Sequence, residues 1–327
     1  MICLLNFTHL IALFLLNTAL TQSFLVRGSN LSNNHHFCSK APKIDLKMQW
    51  YESSTELGEF LKRHDNILLD CDGVLWAGGE AISGSVETVD ALRKAGKKVL
   101  FITNNSSKSR REYSEKLNGF GIATSKSDVI TSGSAMADYL FGHGIKSVYV
   151  IGEKGLIEEL EGVGIKCVYD KNNASPFMDE ADFLSFNADP SVEAVCVGWD
   201  RFFTFRKLTI SSIYLQRGCR FIGANPDISD RVGELLFPGT GPILASIESA
   251  SGVSPYIIGK PNPALVKQIL ERNKMEACNT VMIGDRMDTD IAFANSAGIT
   301  SVLVMTGVTT EDDLDESHDF SDTPSLV

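Results

Sequence analysis

The sequence predicts an α/β fold: a Rossmann-like, doubly wound parallel sheet into which a second α/β unit is inserted. Three observations carry this. Short apolar runs alternate with helix-period segments from residue 46 onward, the alternation that builds parallel sheets with helices on both faces. Several of the runs stop abruptly at acidic, hydroxyl or glycine residues, where open α/β sheets keep their ligand crevice. The stretch between Ser106 and Lys260 is too long for a simple crossover and holds strand and helix patterns of its own.

In chain order, the first strand is expected at Ile67–Asp70, a continuous apolar run ending in a carboxylate. A helix follows at Ser85–Ala95, with Val86, Val89, Ala91 and Leu92 on one face and Gly96 as its stop. Strand Lys98–Thr103 and helices Arg110–Leu117 and Ala135–Leu140 complete the first part of the core, 46–145. The inserted unit, 146–253, is expected to carry strands Ser147–Gly152, Ala194–Gly198 and Arg220–Gly223, with helices Phe205–Gln216 and Gly241–Ala250. The core resumes over 254–310 with helix Pro263–Arg272, strand Thr280–Gly284, helix Thr289–Ala297 and strand Ser301–Met305. The acidic tail, 311–327, reads as a solvated end.

The 327 residues carry a net charge of −11, which argues against a nucleic-acid surface and requires that an anionic substrate be drawn by a local cation. The seven cysteines include no CxxC pair and no Cys/His cluster with zinc spacing, so they read as isolated thiols. Residues 1–45 are expected to lie outside the fold as a targeting or disordered leader. The apolar run Leu10–Leu16 has signal-peptide length and is short for a membrane span, so no stable membrane anchor is expected, although a basic n-region is missing. Secretory-pathway or organelle targeting follows from this reading; a cytoplasmic protein is the alternative.

Four stations concentrate the chemistry. Asp70 and Asp72 flank Cys71 at the end of the first strand, and residues two apart on an extended chain point the same way. Such a pair can hold Mg2+, and one member can attack phosphorus while the other handles the proton. A calcium loop is the competing reading, but its twelfth position would be Ala81 where a Glu is needed. At the second station, Thr103-Asn104-Asn105-Ser106, a Thr hydroxyl and backbone N–H groups could grip phosphate oxygens, and N-capping by Asn or Ser is the competing reading. At the third, Lys260 lies between an apolar run and a helix opened by Pro263, placed to neutralise a phosphate oxygen unless it is a solvated charge. The fourth, Gly284-Asp285-Arg286-Met287-Asp288-Thr289-Asp290, supplies Asp285 as a further metal carboxylate. Asp290 supports Lys260 or a metal-bound water, and Asp288 caps the following helix.

With DCDGVLW, ITNNSS, GKPNP and GDRMDTDI in this order, the chain resembles the haloacid dehalogenase superfamily, within it the p-nitrophenyl phosphatase group that includes phosphoglycolate and pyridoxal phosphate phosphatases. The likeness runs from about Ile67 to Leu314. It implies a Mg2+-dependent phosphomonoesterase for a small phosphorylated metabolite, with Asp70 as the nucleophile that becomes an aspartyl-phosphate and Asp72 as general acid/base. It further implies the Asp72 backbone carbonyl and Asp285 as metal ligands, Thr103 and Asn104 as phosphate-binding residues, and Lys260 as the charge-stabilising lysine. The insert would be a cap that closes over the site and selects the leaving group.

In that cap, Arg201 could meet a substrate carboxylate such as that of phosphoglycolate. Phe202 stands where animal relatives have His, which speaks against pyridoxal phosphate. Cap core is the competing reading for Trp199, Phe202 and Phe203. A homodimer through the cap is an open expectation. Family members usually continue with another strand and helix past the point where this sequence stops, Pro324-Ser325-Leu326-Val327. The remaining alternatives are a pyridoxal phosphate or sugar phosphatase, a phosphotransferase or mutase, and a phospho-acceptor module without turnover. Asp72 and the long insert argue against the last.

Overall fold

The computed structural model describes residues 2–5, 48–50, 60–170, 175, 177–232 and 235–310, with backbone only at 2–5, 48–50 and 231–232. They fall into two compact units. One comprises residues 1–101, 120–122 and 266–327, the other 102–119 and 123–265.

The first unit is built on a parallel sheet. Its strands lie in the order Met48–Trp50, Ile2–Leu5, Thr300–Val304, Thr280–Gly284, Asn66–Leu69 and Lys98–Thr103. Asn66–Leu69 is an interior strand, and Leu69 is in register with Ile283 on one side and Phe101 on the other. Ile67, Leu68, Leu69, Val281 and Met282 are fully buried, as strands covered on both faces require. The register aligns the carboxyl ends, so Asp70 follows Leu69 where Gly284 follows Ile283. The bond from Asp70 N to Ile283 O, 2.9 Å, continues the ladder past the strand. Immediately beyond, Trp76–Ala77 and Glu80–Ala81 form a tight antiparallel hairpin. Its turn is Gly78-Gly79, both at positive φ, the backbone that two-residue hairpin turns demand.

The second unit has its own parallel sheet, in the order Tyr256–Ile257, Arg220–Gly223, Ala194–Val197, Ser147–Ile151 and Lys166–Val168. Its core gathers Tyr149, Ile151, Val195, Val197, Tyr214, Leu244 and Ile247. An antiparallel hairpin, Ser229–Val232 with Leu235–Pro238, precedes the helix Thr240–Ser251. The strand Lys98–Thr103 is shared, since its residues to Phe101 pair in the first sheet and its last two open the second unit.

Several elements depart from the sequence reading. The expectation that residues 1–45 contribute nothing is corrected for Ile2–Leu5, which pair with Thr300–Val304. An unpaired strand edge offers a row of backbone donors and acceptors that another strand can satisfy. The run Leu10–Leu16 and the tail 311–327 lie outside the described residues. The helix expected from Thr289 begins earlier as a π-helical turn, Met287–Ile291, and becomes α-helical only over Ala292–Ser296. The strands Val129–Thr131 and Lys166–Val168 are too short for periodicity to announce. No helix among the described residues is long and apolar enough to cross a membrane.

Candidate active site

The first unit assembles the acids. Asp70, Asp285 and Asp290 each present a carboxylate oxygen within 4.8 Å of the others, and they are only 7%, 2% and 1% exposed. Like charges this close repel by roughly 3 kcal/mol per pair at an effective dielectric near 20. A buried trio of this kind is stable when a divalent cation sits among its oxygens, and an all-carboxylate donor set suits a hard ion such as Mg2+. The backbone prepares the cluster. Val308 N donates to Asp285 Oδ2 at 2.7 Å, and Arg286 N donates to Asp290 Oδ2 at 3.1 Å. A carboxylate has about four lone-pair sites, so each keeps acceptor capacity for an ion.

Glycines make room for these acids. Gly73 has φ 85°, and a Cβ there or on Gly307 would collide with the Asp285 carboxylate, while one on Gly284 would collide with that of Asp290. Thr306 Oγ1 donates to Gly73 O at 2.5 Å, tying the loop after Thr300–Val304 to the loop after Asp70. The π-turn brings Asp290 against Gly284; π-turns recur at functional sites. Asp288, expected as a helix cap, instead pairs with the Arg286 guanidinium at 3.1 and 2.8 Å.

Asp72 is exposed, unlike the trio. The buried Trp76 donates its indole N–H to Asp72 Oδ1 at 2.7 Å. Because an indole only donates, that oxygen is held as an acceptor.

The second unit assembles the remaining groups. Lys260 is buried, and its Nζ donates to Ile102 O at 3.2 Å. Thr103 Oγ1 accepts Asn105 N at 3.0 Å and lies 3.5 Å from the Tyr113 hydroxyl. Asn105 Oδ1 accepts Ser107 N and Ser107 Oγ, each at 2.9 Å, so this side chain stabilises its own turn, as the capping alternative holds. The Asn104 side chain is engaged within the protein. Its Nδ2 donates to Lys260 O at 3.0 Å and Asp227 Oδ1 at 2.9 Å, while Oδ1 accepts Lys260 N at 2.8 Å.

Arg201 forms a two-pronged pair with Glu153, 2.6 and 2.9 Å, which holds its guanidinium above the ordinary value. Its fork is already engaged by a carboxylate of the protein. Phe202 is 63% exposed and is not core. The loop carrying it is well anchored. Asp200, paired with Lys207 at 2.6 Å, accepts Phe202 N at 2.8 Å, and Trp199 N donates to Ser106 Oγ at 3.0 Å. Sequence reasoning missed Trp76, Gly307, Val308 and Asp227. Trp76 lies within the DCDGVLW stretch, four residues after Asp72, and that spacing was its only signal.

A family model described as haloacid dehalogenase-like hydrolase matches residues 67–166, and a HAD-like hydrolase model matches residues 257–327. Phosphoglycolate phosphatase 2 of Arabidopsis thaliana is 36% identical over 269 residues, covering 80% of this chain and 89% of its own. The 4-nitrophenylphosphatase of Schizosaccharomyces pombe is 35% identical over 272 residues, covering 80% and 90%. The crystal structure of a glycerol phosphate phosphatase from Mycobacterium tuberculosis in complex with magnesium matches with a TM-score of 0.67 and 29% identity, over 80% of this chain and 73% of that one.

Proposed function

Because the chain belongs to the haloacid dehalogenase-like hydrolases, we propose that it is a Mg2+-dependent phosphatase that cleaves small phosphomonoesters through a phosphorylated Asp70. The observation that carries this reading is the buried trio of Asp70 and Asp285, at the carboxyl ends of adjacent parallel strands, with Asp290 from the π-turn.

These three carboxylates would hold the ion, joined by the Asp72 backbone carbonyl. When bound, Mg2+ neutralises the charge that builds on the phosphoryl oxygens. An Asp70 oxygen attacks phosphorus, forming the acyl-phosphate bond as the bond to the leaving oxygen breaks. Asp72 gives its proton to that oxygen, then accepts one from the water that attacks the aspartyl-phosphate, releasing phosphate and restoring Asp70. The Thr103 hydroxyl, whose oxygen accepts Asn105 N, would donate its hydrogen to a phosphate oxygen. Lys260 balances the charge of the transferred group.

The names of the relatives support a small, compact leaving group, and phosphoglycolate is the first substrate to test. Glycerol phosphate and p-nitrophenyl phosphate serve as comparators, with pyridoxal phosphate and sugar phosphates as the wider screen. Asp70→Asn is expected to abolish Mg2+-dependent phosphate release, and Lys260→Ala to lower turnover by at least about a hundredfold. Full activity in Asp70→Asn would remove the nucleophile assignment. An unchanged rate in Lys260→Ala would place that lysine outside the reaction.

A further inference from the structure

We infer that the side chain of Asn104 positions Lys260 and does not itself grip the phosphoryl group; the inference rests on the phosphatase reading above and deepens it. A phosphate oxygen only accepts hydrogen bonds, so an asparagine side chain can hold it only through its two N–H donors. Both are spent: one on Lys260 O and one on Asp227 Oδ1. The same amide accepts Lys260 N through Oδ1. Asn104 therefore grips both backbone polar groups of a residue 156 positions away, much as a neighbouring strand would.

The grip is built for this purpose. Asn104 is buried, and its own carbonyl accepts Ser132 Oγ at 2.5 Å and Asn225 Nδ2 at 2.6 Å. Gly259 lets the amide approach, since a Cβ there would come within 2.7 Å of Asn104 Oδ1. Lysine is a point charge on a flexible four-carbon stem, and a preorganised charge stabilises a developing charge best. Here the root of the stem is clamped by Asn104 while its tip donates to Ile102 O, the carbonyl two residues before Asn104. One short segment, 102–104, thus holds the lysine at both ends.

A double-mutant cycle separates the two roles. Asn104→Ala is expected to lower kcat at least about tenfold with KM for p-nitrophenyl phosphate within about threefold of wild type. The double variant Asn104→Ala/Lys260→Ala is expected to be no slower than Lys260→Ala alone, because Asn104 acts through the lysine. Multiplying losses would instead mean that Asn104 meets the substrate itself, and would overturn the inference.

A second readout needs no turnover. Acetic anhydride labelling, followed by peptide mass spectrometry, is expected to modify Lys260 faster in Asn104→Ala than in wild type, with other lysines unchanged. Equal labelling would overturn the clamp. If wild type releases no phosphate from any monoester, the phosphatase reading fails and the labelling ratio alone decides the clamp. If Asn104→Ala does not fold, Asn104→Asp takes its place. It keeps the shape and the acceptor but loses both donors, and the same two outcomes apply.

Discussion

Asp285 shows how narrowly single residues set this chemistry. Its Oδ2 is pinned by Val308 N at 2.7 Å, and Gly73 and Gly307 leave space that no Cβ could share. A methyl group at 307 must displace the carboxylate, because the overlap is with the acid itself and Asp285 is buried with little room to swing. Gly307→Ala is therefore expected to raise the Mg2+ concentration for half-maximal activity at least about tenfold, the usual scale for disturbing the groups that orient a metal ligand. Titrating activity against Mg2+ checks this. An unaltered Mg2+ dependence would mean that Asp285 does not bind the ion. At the same residue scale, the role of the Asn104 side chain is not legible in the sequence. Its place after Thr103 gives no sign of what its side chain does, and only its partners in space show the bonds to the Lys260 backbone.

At the scale of elements, the strands that end in chemistry were legible because an apolar run meeting an acid, a threonine or a glycine is an abrupt change of pattern. Lys98–Thr103 and Thr280–Gly284 fall where the pattern puts them. The π-turn Met287–Ile291 was not legible, since it breaks the 3.6-residue period by which helices are read. That is why Asp290 reads as a supporting residue in sequence and stands beside Asp70 and Asp285 in the structure. Ile2–Leu5 were hidden for another reason: backbone pairing at a strand edge leaves little mark on sequence.

The turn into the strand Asn66–Leu69 carries its own testable device. His64 donates from Nδ1 to Phe60 O at 2.8 Å, and its Nε2 faces Thr300 Oγ1 at 3.0 Å, joining the start of Asn66–Leu69 to that of Thr300–Val304. Burial is the main cause that pushes the imidazole below its ordinary value. The unfolded chain then binds more protons than the folded one as pH falls below about 6.5, so stability is full above that value and declines beneath it. His64→Gln is expected to lose less stability than wild type between pH 7.5 and 5.5 in urea unfolding. Parallel losses would remove His64 from the acid response.

Charge belongs to the whole molecule. A net −11 sets up a field that repels a phosphomonoester, whereas the attraction proposed for Lys260 and a bound ion is local. The two act over different distances. At low salt the repulsion reaches well beyond the molecular surface, and at 0.1 M ionic strength the Debye length shrinks to about 10 Å. Salt therefore removes the long-range repulsion before it weakens attraction between groups in contact. For phosphoglycolate or p-nitrophenyl phosphate at fixed saturating Mg2+, kcat/KM is expected to rise by up to about twofold as potassium chloride increases from 10 to 150 mM, with kcat nearly constant. A steep fall over that range would show that substrate is steered by an extended basic surface. That outcome would require the 30 lysines and arginines to be gathered on one face and the 41 acids held away from it. The described ion pairs run the other way. Arg111 with Glu115 and Glu158, Arg201 with Glu153, and Lys166 with Asp189 all interleave cations with acids, leaving capture of the anion to the few groups that touch it.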